Sequence, residues 1–432
     1  MYRNHRTKRR TIIAVQAVLL VGLLAFYFFA TIPAIAPYPV STDLGKFYAS
    51  VQLLWQRQNI YLPITLDALG PLHDSLAARP KDTLSPNLNL PHVTVLLAPL
   101  GLFDFRTAYW LWSVLSLLAG LYACLLVWRI VSHQPRKDII NLVWIWIIFL
   151  AYYPTYVALQ LGQLTFFLLL LIAVVWRLSR SATHLWLAGL LLGLVVSIKV
   201  FVGAFVLFYL IRRQWQVIVG AIISFSAALF IGWLVVGTEG YQSYLVTMQR
   251  ITWYGNNWNA SFTSFFTRIF GGTANVPWID APWLANLLSY ICSLVSIVWV
   301  GILAWPKELN EADDIAHFDL AFGLMLAVML LASPLGWMYY FPLLLIPGIS
   351  AWYITRDRIP RRYRWGIVLA WMLSNTPLLM VQPRDINAPL AWISWAAVYF
   401  YALLVAIGVL SSMILYLRHQ CCVPFMEKAR PL

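Results

Sequence analysis

A helix that crosses a bilayer needs about 20 consecutive apolar residues, and this sequence supplies such runs repeatedly. The first extends from Thr11 to Ala36. Others fall at 107–128, 139–155, 162–177, 184–198, 200–211, 215–236, 286–304, 317–334, 338–355, 364–381 and 391–417. Composition agrees: of 432 residues, 61% are hydrophobic and 11% charged. Soluble domains run at about 45–50% and about 25%. A water-soluble enzyme, a disordered chain and a disulfide scaffold are excluded. The expectation is an all-α polytopic membrane protein with about twelve transmembrane helices, forming a single integral membrane domain over residues 1–432. No internal repeat is evident.

Charge orients the chain. Five Lys and Arg lie within the first ten residues, ahead of the first run. That run ends in Ala34-Ile35-Ala36, which resembles a signal-peptidase site, but it is longer than the roughly 7–15 residues of a signal core. An uncleaved anchor is expected, with its basic end in the cytoplasm. The short stretch 90–103 contains Pro91 and Pro99. If it dips in and returns, about two thirds of the 30 Lys and Arg face the cytoplasm. If it crosses, the proportion inverts, against the positive-inside rule. The first arrangement places both termini inside and leaves two sizeable outer loops, 37–89 and 237–285. The runs 184–198 and 200–211 meet at Lys199 and read as a broken pair. The net charge of +14 then reflects topology, and no stretch is polar enough to bind nucleic acid. Four cysteines make no framework: Cys124 and Cys292 read as small apolar residues, and Cys421 and Cys422 lie where acylation would fall.

This topology gathers the unexpected polar residues on the outer side. Asp43 precedes Leu44, Phe47, Tyr48, Val51, Leu54 and Trp55, whose helical spacing predicts an amphipathic helix on the membrane surface. Asp43 is either its N-cap or a carboxylate with chemistry to do. Gln160-Leu161-Gly162-Gln163 is either a polar turn or a sugar-hydroxyl site. Lys199 at membrane depth is expensive; it either snorkels or serves as a point charge for a phosphate. Asn259-Ala260-Ser261 is a sequon in a donor-rich stretch ahead of Arg268, and both a solvated loop and an anion site fit it. Ser333-Pro334-Leu335-Gly336-Trp337-Met338-Tyr339-Tyr340 forms an outer turn whose aromatics suit an interfacial belt. The seven His show no metal-ligand spacing, and no phosphate-binding glycine loop follows a strand. His92 and His317 read as polar residues at the interface rather than as metal ligands.

Taken in order, these segments resemble the C-type membrane glycosyltransferases of family 87, the polyprenol-phosphate-mannose-dependent α-mannosyltransferases. The resemblance rests on Asp43 with Phe47-Tyr48-Ala49-Ser50-Val51-Gln52-Leu53-Leu54 and Asn59-Ile60-Tyr61. It continues through Asn89-Leu90-Pro91-His92, Leu97-Ala98-Pro99-Leu100, Ala108-Tyr109-Trp110-Leu111-Trp112 and Leu161-Gly162-Gln163. Ala188-Gly189, Gly193, Ser197-Ile198-Lys199, Asn259-Ala260-Ser261 with Arg268, and Ser333-Pro334 with Trp337 complete it. The pattern departs at Leu90 and His92, which stand where the family has Tyr and Pro. It departs again at Met338 and Tyr339, which stand where an acidic residue and His usually follow the Trp. Those last two bear on the choice of sugar or acceptor.

What the resemblance implies is a C-type bundle with short or re-entrant helices. It would move a hexose, mannose in the family, from a polyprenyl-phosphate sugar to a lipid or glycan hydroxyl with inversion at the extracytoplasmic face. Asp43 becomes the catalytic base; Lys199, Arg268, Gln163 and Asn259 bind the donor; Tyr48, His92, Trp337 and Tyr339 are candidate substrate contacts. No cofactor is implied, and a divalent metal is left open. The family's usual hosts imply a bacterial inner membrane. The rival classes are a lipid or solute transporter or flippase and a non-catalytic scaffold.

Overall fold

The computed structural model describes residues 2–38, 42–61, 86–132, 139–271, 277–307, 310–382 and 389–420. Most of the expected outer loop 37–89 and both Cys421 and Cys422 lie outside them. Among the described residues the chain is helical, with no strand; Asn259 and Trp337 form one isolated antiparallel bridge. Every apolar run named above carries helix. Six helices are long and apolar enough to cross a membrane: Arg9–Ile35, Phe105–Val131, Trp215–Gln249, Pro282–Ala304, Glu311–Ala332 and Trp395–Gln420. Ile139–Ala151 and Tyr153–Gln160, bent by 59°, add a seventh if they form one span. About twelve full crossings are therefore not reached by helices of spanning length. Helix breakers account for the shortfall. Pro154 opens the second half of the bent pair, and Pro342 sits inside a 3-10 turn, Met338–Leu344, because proline lacks the N–H that would continue an α-helix. Lys199 separates Leu185–Ile198 from the 3-10 turn Val200–Gly203 and the helix Ala204–Ile211.

The chain divides into two compact units, Met1–Ile172 with Leu190–Val200 and Ala221–Ile251, and Ala173–Gly189 with Phe201–Gly220 and Thr252–Leu432. In the first unit the N-terminal helix is stitched to Ile139–Ala151 by Gln16, which donates to the Ile140 carbonyl at 2.8 Å, and by Tyr27, which donates to that of Leu150 at 2.8 Å. The stretch expected to dip and return is a helix, Pro91–Leu97, and a 3-10 turn, Ala98–Leu102. It packs on the helix Asp43–Trp55, where a Cβ at Gly101 would lie 2.6 Å from Val51 Cγ1. That contact corrects the expected surface helix. Leu44, Phe47, Tyr48 and Val51 are buried in the protein, and of the apolar residues on that face Trp55 is the one well exposed. Their periodicity is real, but protein rather than lipid covers it.

In the second unit the most enclosed element is Glu311–Ala332. Asn310 caps it, accepting from the Asp313 N–H at 3.0 Å. Basic residues from four other segments meet its first turns. Arg358 pairs with Asp313, Arg212 with Asp314 at 3.4 Å, and Arg180 straddles Asp319 at 2.9 and 3.1 Å. Trp176 Nε1 donates to Asp319 Oδ1 at 2.9 Å. Arg418 donates to the Leu303 and Trp305 carbonyls at 2.8 and 2.7 Å, beside His317. His317 is wholly buried here rather than interfacial.

Candidate functional site

The first unit assembles the polar cluster. Thr42 caps the helix Asp43–Trp55: its backbone is extended and its hydroxyl accepts from the Gly45 N–H at 2.9 Å. Capping is thus the work of Thr42, and the Asp43 carboxylate is free for another use. The N–H groups of Asp43 and Leu44 both donate to the Leu161 carbonyl, at 2.8 and 3.0 Å. Helix start and polar turn are therefore one structure. Gly162 makes it possible, with φ of +65° and the Leu44 Cβ only 2.6 Å from where its own Cβ would be. No other residue combines that backbone with that approach. Trp112 Nε1 donates to the Gly162 carbonyl at 2.9 Å and Tyr109 to that of Gln160 at 3.0 Å, so Phe105–Val131 fixes the turn from beneath.

Gln163, 3% exposed, follows the turn and donates its amide to the Asp43 carboxylate, which also pairs with Lys46 one helical turn on. Lys199 donates to Asn89 Oδ1 at 2.8 Å and feels the charges of Asp43 and Lys46. It sits in the break between two helices too short to cross. Asp43, Gln163 and Lys199 are thus gathered in one enclave. His92 is buried beside it, its Nε2 2.9 Å from the Ser197 carbonyl. Desolvation lowers the pull of that ring for a proton. Tyr48 spends its hydroxyl on the Phe103 carbonyl at 2.8 Å and stands edge-on to Phe105. It braces the helix that carries Asp43.

Asn259, Arg268, Trp337 and Tyr339 belong to the second unit, where the first two depart from expectation. Neither is solvated. Asn259 is fully buried, its amide donating to the Tyr254 and Pro334 carbonyls at 3.0 and 2.9 Å. A sequon so enclosed offers no amide nitrogen for glycosylation in the folded chain. Arg268, 1% exposed, donates to the carbonyls of Gly255, Asn256, Asn259 and Ala396 and to the Ser264 hydroxyl. Five protein acceptors around the guanidinium, three of them sharing Nη2, leave little of it for a phosphate. The pair organises the loop, with Ala260 and Met338 N–H groups closing onto Gly336 and Trp258 carbonyls at 2.9 Å each. Trp258, Trp337, Tyr339 and Tyr340 form a continuous row of rings, with centroids 5.9, 6.2 and 4.8 Å apart.

Sequence reasoning did not single out Thr42, Lys46 or Asn89 as site residues. Lys46 was visible, since a base three residues after an acid shares its helix face. Asn89 was not, because its partner is 110 positions away. Among the described residues no group of three His, Cys, Asp or Glu could hold a metal ion.

The family profile described as glycosyltransferase family 87 matches residues 88–334. A polyprenol-phosphate-mannose-dependent alpha-(1-2)-phosphatidylinositol pentamannoside mannosyltransferase of Mycolicibacterium smegmatis is 27% identical over 360 residues, 79% of this chain and 81% of the relative. Its counterpart of the same description from Mycobacterium tuberculosis is 25% identical over 377 residues, 82% of this chain and 80% of that one. No solved structure matches. With a family match over more than half its length, through the segments that carry Lys199, Gln163 and the Ser333-Pro334 turn, the chain belongs to glycosyltransferase family 87.

Proposed function

We propose that this multi-pass membrane glycosyltransferase moves a hexose, mannose by the likeness to its relatives, from a polyprenyl-phosphate carrier to the hydroxyl of a lipid or glycan acceptor. The observation that carries the reading is the enclave of Asp43, Gln163 and Lys199, held at the start of one helix and the break between two others. Family membership weighs against the transporter reading.

The chemistry follows from the two charges. The acceptor oxygen attacks the anomeric carbon as the bond from that carbon to the phosphate oxygen breaks. Attack from the opposite face inverts the configuration. The acceptor proton passes to the Asp43 carboxylate. The electron pair leaves with the polyprenyl phosphate, whose added negative charge Lys199 stabilises. A positioned base contributes about 10²–10⁴-fold, and a preorganised cation at the leaving oxygen acts where charge develops. Gln163 orients the base. Arg268 and Asn259 act at one remove, by holding the aromatic turn of Trp337 and Tyr339 in its own unit. The isoprenoid tail lies in the bilayer, so the reactive carbon is held near its outer surface. The arrangement in the membrane that suits this is about twelve crossings, some by short helices, with the stretch 90–103 re-entrant. Both termini then lie in the cytoplasm and the segments 37–89 and 237–285 outside, in a bacterial inner membrane. No cofactor is called for.

The test is transfer from polyprenyl-phosphate mannose, beside other polyprenyl sugars, by membranes holding the wild-type chain or Asp43→Asn. The substitution is nearly isosteric. It is expected to lower transfer by about 10²–10⁴-fold with insertion and folding intact. Full turnover in that variant would remove Asp43 as base.

A further inference from the structure

Two amides flank the Asp43 and Lys199 charges, and each has one end without a partner among the described residues. Which end is which is decided by chemistry. An ammonium has only donors and a carboxylate only lone pairs. Asn89 must therefore turn its oxygen to Lys199, and Gln163 its nitrogen to Asp43. What remains is the Asn89 Nδ2 donor beside the cation and the Gln163 Oε1 acceptor beside the anion. Both atoms are buried with no partner among the described residues. Buried polar atoms are nearly always bonded, because an unmade bond is costly.

Asn89 is also held with unusual firmness for a residue outside a helix. It is 2% exposed. Its N–H donates to Asn87 Oδ1 at 3.0 Å, and its carbonyl accepts from the Tyr61 hydroxyl at 2.5 Å. Asn87 is itself bonded to the Ser50 and Thr94 hydroxyls, at 3.1 and 3.2 Å. The backbone is pinned by neighbours on both sides while one amide hydrogen pair stays unspent. That combination describes a preorganised donor.

We propose that Asn89 is a binding and positioning residue for an anionic oxygen: its carbonyl fixes the Lys199 ammonium, and its NH₂ joins that ammonium on the phosphate of the lipid-linked sugar. The proposal rests on the transferase reading, and it assigns the phosphate to one side of the enclave. The acceptor hydroxyl falls to the other side, where Gln163 Oε1 and the Asp43 carboxylate both accept.

Asn89→Asp separates the two tasks, since it keeps the acceptor for Lys199 and replaces the donor by a charge that repels phosphate. Asn89→Ala removes both. The charged groups acting on Lys199 are Asp43 and Lys46, both on the helix Asp43–Trp55; His92 lies on the element that follows Asn89. The full-length chain would be studied in nanodiscs by binding of polyprenyl phosphate, transfer from polyprenyl-phosphate mannose against pH, and thermal unfolding. Asn89→Asp is expected to unfold near the wild-type temperature and Asn89→Ala, which takes an acceptor from a buried ammonium, somewhat below it while still folding. Binding of polyprenyl phosphate should weaken by about 10- to 100-fold, the range of a lost hydrogen bond to a charged group. The alkaline limb of kcat/KM should move to higher pH in Asn89→Asp, where a carboxylate favours the ammonium, and to lower pH in Asn89→Ala. Wild-type affinity for polyprenyl phosphate in both folded variants, or limbs that do not move apart, would overturn the proposal. A wild-type chain that binds polyprenyl phosphate through Asn89 but transfers no sugar would instead overturn the transferase reading and leave the anion site standing.

Discussion

At the scale of single residues, the site depends on positions with no charge. Thr42 takes the cap and so releases Asp43 from it. Gly162 lets the turn come within reach of the helix start. At φ of +65° an alanine is strained, and its Cβ would meet that of Leu44 at 2.6 Å. Gly162→Ala is expected to cost about 1–3 kcal/mol. It should also pull the Leu161 carbonyl away from the Asp43 and Leu44 N–H groups. Thermal unfolding in detergent and transfer per folded molecule should fall together. Wild-type values for both would mean the turn is not what places Asp43. The sequence named Asp43, Gln163 and Lys199 because each is a polar residue where apolar ones are the rule. It presented Asn89 only as the first residue of a motif and gave it no role, because that role comes from a bond to Lys199 across 110 positions. Nor could it tell that Arg268 and Asn259 are turned inward, since a loop of donors reads alike whether it binds water or its own carbonyls.

At the scale of elements, every apolar run carries helix, but the runs said little about what covers each one, and they missed Phe262–Phe270 inside the segment 237–285 read as a loop. Leu44, Phe47 and Val51 are spaced as on a surface helix, yet they pack beneath Pro91–Leu102. A stripe of that width is the same whether lipid or protein lies against it. The helix Glu311–Ala332 carries the opposite lesson. The segment 305–316 at its start carries one Lys against four acids; of these Asp313 and Asp314 pair with Arg358 and Arg212, and Asp319 further along takes Arg180. Anions at a helix N-terminus are favourable in themselves, and here they also tie down the basic ends of other helices. Asp319 is the deepest, 3% exposed in its side chain, with Arg180 at 24%. Removing one member of a buried pair strands the other, at about 3–5 kcal/mol. Because Arg180 keeps some access to solvent, Asp319→Leu is expected at the lower end of that range. The double change with Arg180→Leu should recover most of the loss. A single variant as stable as wild type in chemical unfolding would show that the pair contributes nothing.

At the scale of the whole molecule, the exposed surface argues for the bilayer more strongly than the helix count does. Pro282–Ala304 leaves Trp283, Leu287, Tyr290, Ile291, Leu294, Val295, Val298 and Ile302 open to the surroundings. In water that face would be an aggregation hazard; against lipid tails it is at rest. The helix has 23 residues, about 35 Å at 1.5 Å each, enough to span a core of about 30 Å. It is therefore a good place to test the inferred orientation. Asp280 lies just before it and Lys307 just after, both exposed. In a chain freed of its native cysteines, Asp280→Cys should react with a membrane-impermeant maleimide added to intact cells. Lys307→Cys should react only after the membrane is opened. Reversal of the two would put the segment 237–285 in the cytoplasm, away from any lipid-linked sugar presented outside. Labelling of both in intact cells would deny that this helix crosses, however apolar its face.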